Sequence, residues 1–235
     1  MTGAARGIGR NIIERFLESG TRLALLDTNI GPLQVWVKEF GDDIFLIKCD
    51  FRNKTQLTTA RDRILAEFGR IDVLINNMGM LHPFNSSEAK REIDWRRVLD
   101  VNLTSAFLCT QAFGSPMLGC GGAIVNLFSA ADKVPYCLQR AYSASKTGIL
   151  LLTQQTAIEW GMHKVRANAV CPGFVETGRK AASFSVTEVL EGRATLVPRD
   201  RNGQPEDIAN VVFFLASPEA EYINGKLLQV DVVLH

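Results

Sequence analysis

The sequence predicts an α/β protein built on a doubly wound parallel sheet. Three observations carry that expectation. Short apolar, β-rich runs alternate with longer segments of helical period, as strands buried on both faces alternate with covering helices. The composition, 46% hydrophobic and 22% charged over 235 residues, is that of a globular chain and not of a disordered one. No internal repeat, low-complexity tract or proline/serine linker breaks the alternation, so residues 1–235 read as one domain.

In chain order, the expected strands cover residues 22–27, 44–50, 71–77, 123–129, 166–171 and 226–233. The expected helices cover residues 7–19, 32–40, 54–68, 92–111, 143–160 and 205–216. Within the first helix Ile8, Ile12 and Phe16, flanked by Ile13 and Leu17, form the stripe of a helix packed on a sheet. Ligands of such sheets bind beyond the carboxyl ends of the strands. The motifs below fall at those ends.

Charge, run length and cysteine usage exclude several classes. Twenty-six basic against 25 acidic side chains give a net charge of +1, without the basic excess that nucleic acid or an anionic membrane requires. The longest apolar runs, at 149–152 and 211–216, fall far short of the ~20 residues that cross a bilayer. Met1 leads straight into a glycine-rich segment with no signal pattern. Cys49, Cys109, Cys120, Cys137 and Cys171 are odd in number and form no C-x-x-C pair, and His82, His163 and His235 are scattered. The expectation is a reduced, metal-free, cytoplasmic protein.

Thr2-Gly3-Ala4-Ala5-Arg6-Gly7-Ile8-Gly9 opens into the first helix. Glycines permit a tight turn and close backbone approach, and a helix N-terminus offers free N–H groups and a positive dipole end to a pyrophosphate. The spacing is G-x-x-x-G-x-G instead of the common G-x-G-x-x-G, and alone it fits a plain terminal turn equally well. The next strand ends in Asp27, 18 residues after Gly9, where a carboxylate can bind ribose hydroxyls. It would also repel a 2′-phosphate, so NAD is expected and NADP is less favoured, although Arg6 could meet such a phosphate. The alternative is an Asp27 that only caps the following turn.

Tyr142-Ser143-Ala144-Ser145-Lys146 places Tyr142 and Lys146 on one face of a helix start. A free phenol has a pKa of ~10, and an ammonium within about 4–6 Å favours the phenolate. That makes a general base for alcohol oxidation or an acid for carbonyl reduction. Such pairs also occur inert on solvated helix faces. Ser129, 13 residues upstream, closes a buried strand and could bond a substrate oxygen whose charge changes during hydride transfer.

Taken together these residues resemble the short-chain dehydrogenases/reductases. The likeness runs through the glycine motif, Asp50, Asn76-Asn77-Met78-Gly79, Val101-Asn102, Ser129, Tyr142 with Lys146, Asn168-Ala169-Val170-Cys171-Pro172-Gly173, Thr177 and Pro205-Glu206-Asp207. It implies a Rossmann-type fold and a catalytic tetrad of Asn102, Ser129, Tyr142 and Lys146. Tyr142 would be the acid/base, Lys146 would hold the nicotinamide ribose and tune it, and Ser129 would orient the substrate oxygen. Asn102 would bind a water linking Lys146 to solvent. Cofactor contacts would come from Gly3, Arg6, Gly7, Ile8, Gly9, Asp27, Asp50 (adenine), Asn77, Gly79, Tyr142, Lys146, Pro172, Gly173, Val175 and Thr177, with no metal. The implied activity is oxidoreduction between NAD and a secondary alcohol or ketone. A catalytically silent dinucleotide-binding or assembly protein is the alternative.

Three substitutions depart from the family pattern: Met78 for alanine, Phe128 for serine, and Val232-Val233 for Gly-Gly. Core packing accounts for them more simply than chemistry. The N-terminus departs further. Only Met1 precedes Thr2, so the family's first, central strand has no residues. Removing one strand leaves about 10 Å between its former neighbours. Either the chain is truncated, which is the expectation here, or the sheet closes up or is rebuilt.

Substrate specificity is expected in the segment 178–203, with Leu81, His82, Val134, Tyr136, Gln139 and Phe174 as candidate walls. A homo-oligomer, tetramer or dimer, is expected through the helices holding Asn102 and Tyr142 and through the apolar end, 227–234.

Overall fold

The computed structural model describes residues 1–5, 7–80, 91–129, 140–173, 175–176, 201 and 203–231, and the statements below concern these. Parallel strands β1 (Leu23–Asp27) and β2 (Ile44–Lys48) pair from Leu23↔Ile44 to Asp27↔Lys48. Strands β3 (Val73–Asn76), β4 (Gly122–Leu127), β5 (Val165–Pro172) and β6 (Leu227–Val230) form a second parallel run in that order. Alternate residues enter opposite cores, as a period of two requires. Leu25, Ile75 and Val125 lie in one cluster, and Leu26, Leu74 and Ile124 in the other.

Helices cover both faces. On one side α1 (Ile8–Leu17) packs against α7 (Pro205–Ala216), with Phe16 edge-on to Phe213 at 5.1 Å between centroids. The apolar stripe read from the sequence supplies this contact: Ile12 and Phe16 are buried, while Ile8 is half-buried. The same core takes Leu33 and Trp36 from the short turn Gly31–Leu33 and α2 (Gln34–Phe40). On the other side lie α3 (Lys54–Phe68), α4 (Glu92–Leu99), α5 (Ser105–Cys109) and α6 (Arg140–Trp160). Leu57, Ile64, Cys109 and Ala157 fill that core.

Local chemistry sets the helix ends. Asn53 Oδ1 accepts from Gln56 N at 3.1 Å to start α3, and Gly69, with φ 78°, ends it in the left-handed conformation. Gln204 and Asp207 form a reciprocal capping box on α7, whose first residue is Pro205.

The segment 92–111, expected as one helix, is interrupted by π-helical turns at Asp100–Thr104 and Thr110–Gly114. The wider turn has a local cause. The Ser105 hydroxyl and backbone N–H both bond the Asp100 carbonyl, a five-residue closure that holds Asn102 inward. The helix containing Tyr142 begins at Arg140, three residues before the expected 143, so Tyr142 and Lys146 occupy its first two turns.

β1 and β3 do not pair with each other along their lengths. Thr2 bridges both Leu26 and Asn76, donating its N–H to Ile75 O at 2.9 Å. Leu26 N reaches Met1 O at 2.9 Å, and Gly3 N reaches Leu26 O at 3.1 Å. Met1 and Thr2 therefore lie between the carboxyl ends of β1 and β3, bonded to both in parallel register. Below them β1 and β3 stand apart.

Candidate functional site

The loops at the carboxyl ends of β3 and β4, the glycine turn and the start of α6 converge. Gly3 and Gly7 adopt φ 63° and 57°, conformations that L side chains rarely take. A Cβ at Gly3 would stand 2.8 Å from Met78 Cα, so the turn can approach the β3 loop only as glycine. Asn77 Nδ2 donates to Gly3 O at 2.6 Å, and a side chain at Gly9 would collide with that amide at 2.8 Å. Asp27, at the end of β1, accepts from Ala5 N at 3.2 Å through Oδ2 and from Asn29 N at 3.1 Å through Oδ1. Asp27 thus caps its own turn and also braces the glycine turn.

One step along, Gly79 lies where a Cβ would sit 3.5 Å from Lys146 Nζ. Lys146 is buried and donates to Leu127 O, at the end of β4, at 2.7 Å. Ser129 follows two residues later. Lys146 Nζ also lies 5.8 Å from the Tyr142 ring centroid. Burial pulls its ammonium down from 10.5 to about 8, so it remains mainly charged near neutrality. The lysine therefore ties Tyr142's helix to the strand that delivers Ser129.

Asn102 is fully buried and occupied. Its Oδ1 accepts from Met80 N at 2.8 Å, and its Nδ2 donates to Met80 O at 3.2 Å and to Ser145 Oγ at 3.0 Å. Ser145 Oγ in turn donates to Tyr142 O at 2.7 Å. Both amide protons are committed, so the side chain clamps the β3 loop to α6. Sequence reasoning missed Ser145 and the Met80 backbone. Ser145 sits inside the Tyr142–Lys146 motif, but only the three-dimensional approach of Asn102 gives it a task.

Asp50 is clasped by Arg52, with Nε–Oδ1 3.0 Å and Nη2–Oδ2 2.7 Å, and the guanidinium holds its carboxyl below the usual range. Its backbone N–H donates to Gln56 Oε1, so an adenine contact would have to share a carboxylate already engaged. Pro172 ends β5, Gly173 N donates to Val230 O at 3.0 Å, and Val175 bridges Gly203. Arg6, Thr177, Val232, Val233, the candidate walls and nearly all of 178–203 lie outside the described residues. Met78 and Phe128 are buried in the cores, as core packing requires.

These parts suit a dinucleotide. The N-terminus of α1 carries no side-chain cap, leaving its N–H groups for an anion, and the glycines keep side chains out of the approach. Among the described residues no cluster of His, Cys, Asp or Glu could hold a metal ion.

Known proteins agree with this layout. A family profile described as enoyl-(acyl carrier protein) reductase matches residues 3–235. The chain belongs to the short-chain dehydrogenases/reductases. It is 37% identical to D-threitol dehydrogenase of Mycolicibacterium smegmatis, over 98% of this chain and 90% of that protein. It is 34% identical to the 3-oxoacyl-(acyl-carrier-protein) reductase FabG of Staphylococcus aureus, over 98% and 95%. The crystal structure of gox2181 superposes with a TM-score of 0.92 at 30% identity, covering 98% of this chain and 92% of that one. The family uses nicotinamide dinucleotides and carries out oxidoreduction, and its Rossmann-type sheet is the one described here. No described helix is long and apolar enough to cross a membrane.

Proposed function

We propose that residues 1–235 form one catalytic domain that moves a hydride between NAD and a secondary alcohol or ketone, with Tyr142 as general acid/base. The observation that carries this reading is the buried Lys146, bonded to Leu127 O and facing the Tyr142 ring at the sheet's carboxyl edge. Bound NAD would supply the hydride acceptor. Lys146 holds the nicotinamide ribose and its positive charge favours the Tyr142 phenolate. Tyr142 takes the hydroxyl proton of an alcohol, and Ser129 orients the same oxygen. Asn102 and Ser145 act by fixing the first turn of α6 against the Met80 backbone.

The relatives named for a polyol and for a 3-oxoacyl thioester bracket the substrate class: a small hydroxyl or oxo compound. Exposed apolar side chains, Phe107 on α5 and Leu151 and Ile158 on α6, support a homo-oligomer through these helices. The deciding experiment is a panel of secondary alcohols and polyols assayed for NADH formation. Turnover of at least one is expected, and no turnover of any panel member in either direction would refute the reading.

Asp27 supports NAD over NADP. Its carboxylate ends β1 beside Ala5 N, where a 2′-phosphate would meet a like charge. The expected kcat/KM ratio favours NAD at least ~10-fold, and Asp27→Ser should erode it. A wild-type preference for NADP would overturn the assignment.

A further inference from the structure

Four buried polar side chains, Asn76, Thr110, Asn126 and Thr153, meet in the interior beneath the site. They come from β3, the π-helical turn Thr110–Gly114, β4 and α6. Asn76 and Asn126 are partners in the parallel ladder, so their side chains stand on one face of the sheet. Asn76 Nδ2 donates to Asn126 Oδ1 at 2.8 Å and to Thr110 Oγ1 at 3.3 Å. Asn126 Nδ2 donates to Thr153 Oγ1 at 2.8 Å, and that hydroxyl donates to Ile149 O at 2.7 Å.

Burial energy alone does not call for these residues. Two positions back along each strand the same face carries Leu74 and Ile124, and one turn on along α6 comes Ala157, all in an apolar core. Apolar side chains could fill the space without desolvating two amides. Asn76 Oδ1 is buried and has no hydrogen-bond partner among the described residues, so the network is not even complete. What a hydrogen bond adds to apolar contact is direction, which selects one arrangement of the packed elements.

We propose that Asn126 and Thr153 are positioning residues: their bond sets the rotation of α6 on β4 and so aims Tyr142 and Lys146 at the sheet's carboxyl edge. At 3.6 residues per turn, Thr153 projects within about 20° of both Tyr142 and Lys146, so fixing its direction fixes theirs. Side chains lie about 6 Å from a helix axis, and a roll of about 10° displaces them by about 1 Å. A misplacement of that size costs about 100-fold in rate. Other bonds keep the helix attached: Lys146 donates to Leu127 O at 2.7 Å, and Asn224 Nδ2 donates to Ala157 O at 3.1 Å. Thr153 lies between these two anchors and governs how the helix is turned. The catalytic consequence rests on the proposed acid/base role of Tyr142.

Three variants test the assignment. Thr153→Val keeps the volume and loses the hydroxyl. Its kcat for NADH formation is expected to fall about 10- to 100-fold. Its NADH affinity, read by fluorescence quenching, should stay within about threefold, because the glycine turn and Asp27 lie on other elements. The primary deuterium isotope effect on an alcohol that the wild type oxidises should rise, since misalignment slows the hydride step. Thr153→Ser keeps the bond and gives up a buried methyl group, so it should melt lower than wild type yet retain kcat within about twofold. The double variant Asn126→Leu/Thr153→Val puts apolar packing in place of the bond; it should melt no lower than Thr153→Val and stay as slow. Amide exchange at Lys146 and Gly148 requires no substrate. It should quicken at least about 10-fold in Thr153→Val, with Ala157 unchanged.

A kcat that simply follows Tm across the three variants, with a constant isotope effect, would make the network a packing feature and overturn the proposal. So would recovery of activity in the double variant, or unchanged exchange at Lys146 and Gly148 in Thr153→Val. A wild type that oxidises no alcohol would defeat the role given to Tyr142, and amide exchange would still decide whether Thr153 holds α6.

Discussion

Replacing Tyr142 by phenylalanine is expected to lower kcat for NADH formation about 1,000-fold, within the range of general acid–base catalysis. The substitution removes one oxygen and keeps the ring. The Lys146 ammonium retains its place against that ring, 5.8 Å from the centroid, and its bond to Leu127 O. Ser145 still donates to the Tyr142 backbone carbonyl, which the variant preserves. Tm and cofactor affinity, read by thermal melting and by quenching of protein fluorescence, should therefore change little. The separation of these readouts is the informative part. A variant that kept more than a tenth of its activity would remove Tyr142 from the acid/base role. One that also lost cofactor affinity would instead make the hydroxyl a binding group.

The parts of the site that were readable in the sequence are those fixed by local geometry. Tyr142 and Lys146 are four residues apart on a helix, and that spacing puts them on one face wherever the helix lies. Gly3, Gly7 and Gly9 announce a turn that excludes side chains, and Asp27 ends a run whose apolar period already marks a strand. The strand and helix alternation gave the layers for the same reason. Contacts between distant segments were not readable. Asn102 meets Met80 and Ser145 across 22 and 43 residues, and its amide could commit to them only once β3, the π-helical turn and α6 were assembled. The wide turn at Asp100–Thr104 depends on a Ser105 hydroxyl that is equally at home in an ordinary helix. Asp50 shows the opposite hazard, since its motif position was plain while the guanidinium that occupies it, on Arg52, carried no signal.

A second large effect separates stability from function. Lys146→Met keeps the length of the side chain and removes its charge. In the folded protein burial holds the ammonium at about 8, against 10.5 when exposed. That difference corresponds to about 3 kcal/mol of destabilisation. The unfolded chain binds the extra proton between these values. The wild type's penalty is therefore full below pH 8 and is relieved as pH rises toward 10.5. Methionine avoids it, at a cost of about 1 kcal/mol for leaving Leu127 O without its donor. The variant should melt several degrees higher than wild type at pH 7 and lose that advantage by about pH 10.5. Its activity should fall at least about 100-fold, since Tyr142 then lacks the adjacent charge that favours its ionised form. A Lys146→Met protein that melts lower than wild type at pH 7 would mean that the ammonium's bonds outweigh its burial, making Lys146 a structural residue first. The expected result, a more stable and nearly inactive protein, would identify Lys146 as a charge that folding tolerates and catalysis requires.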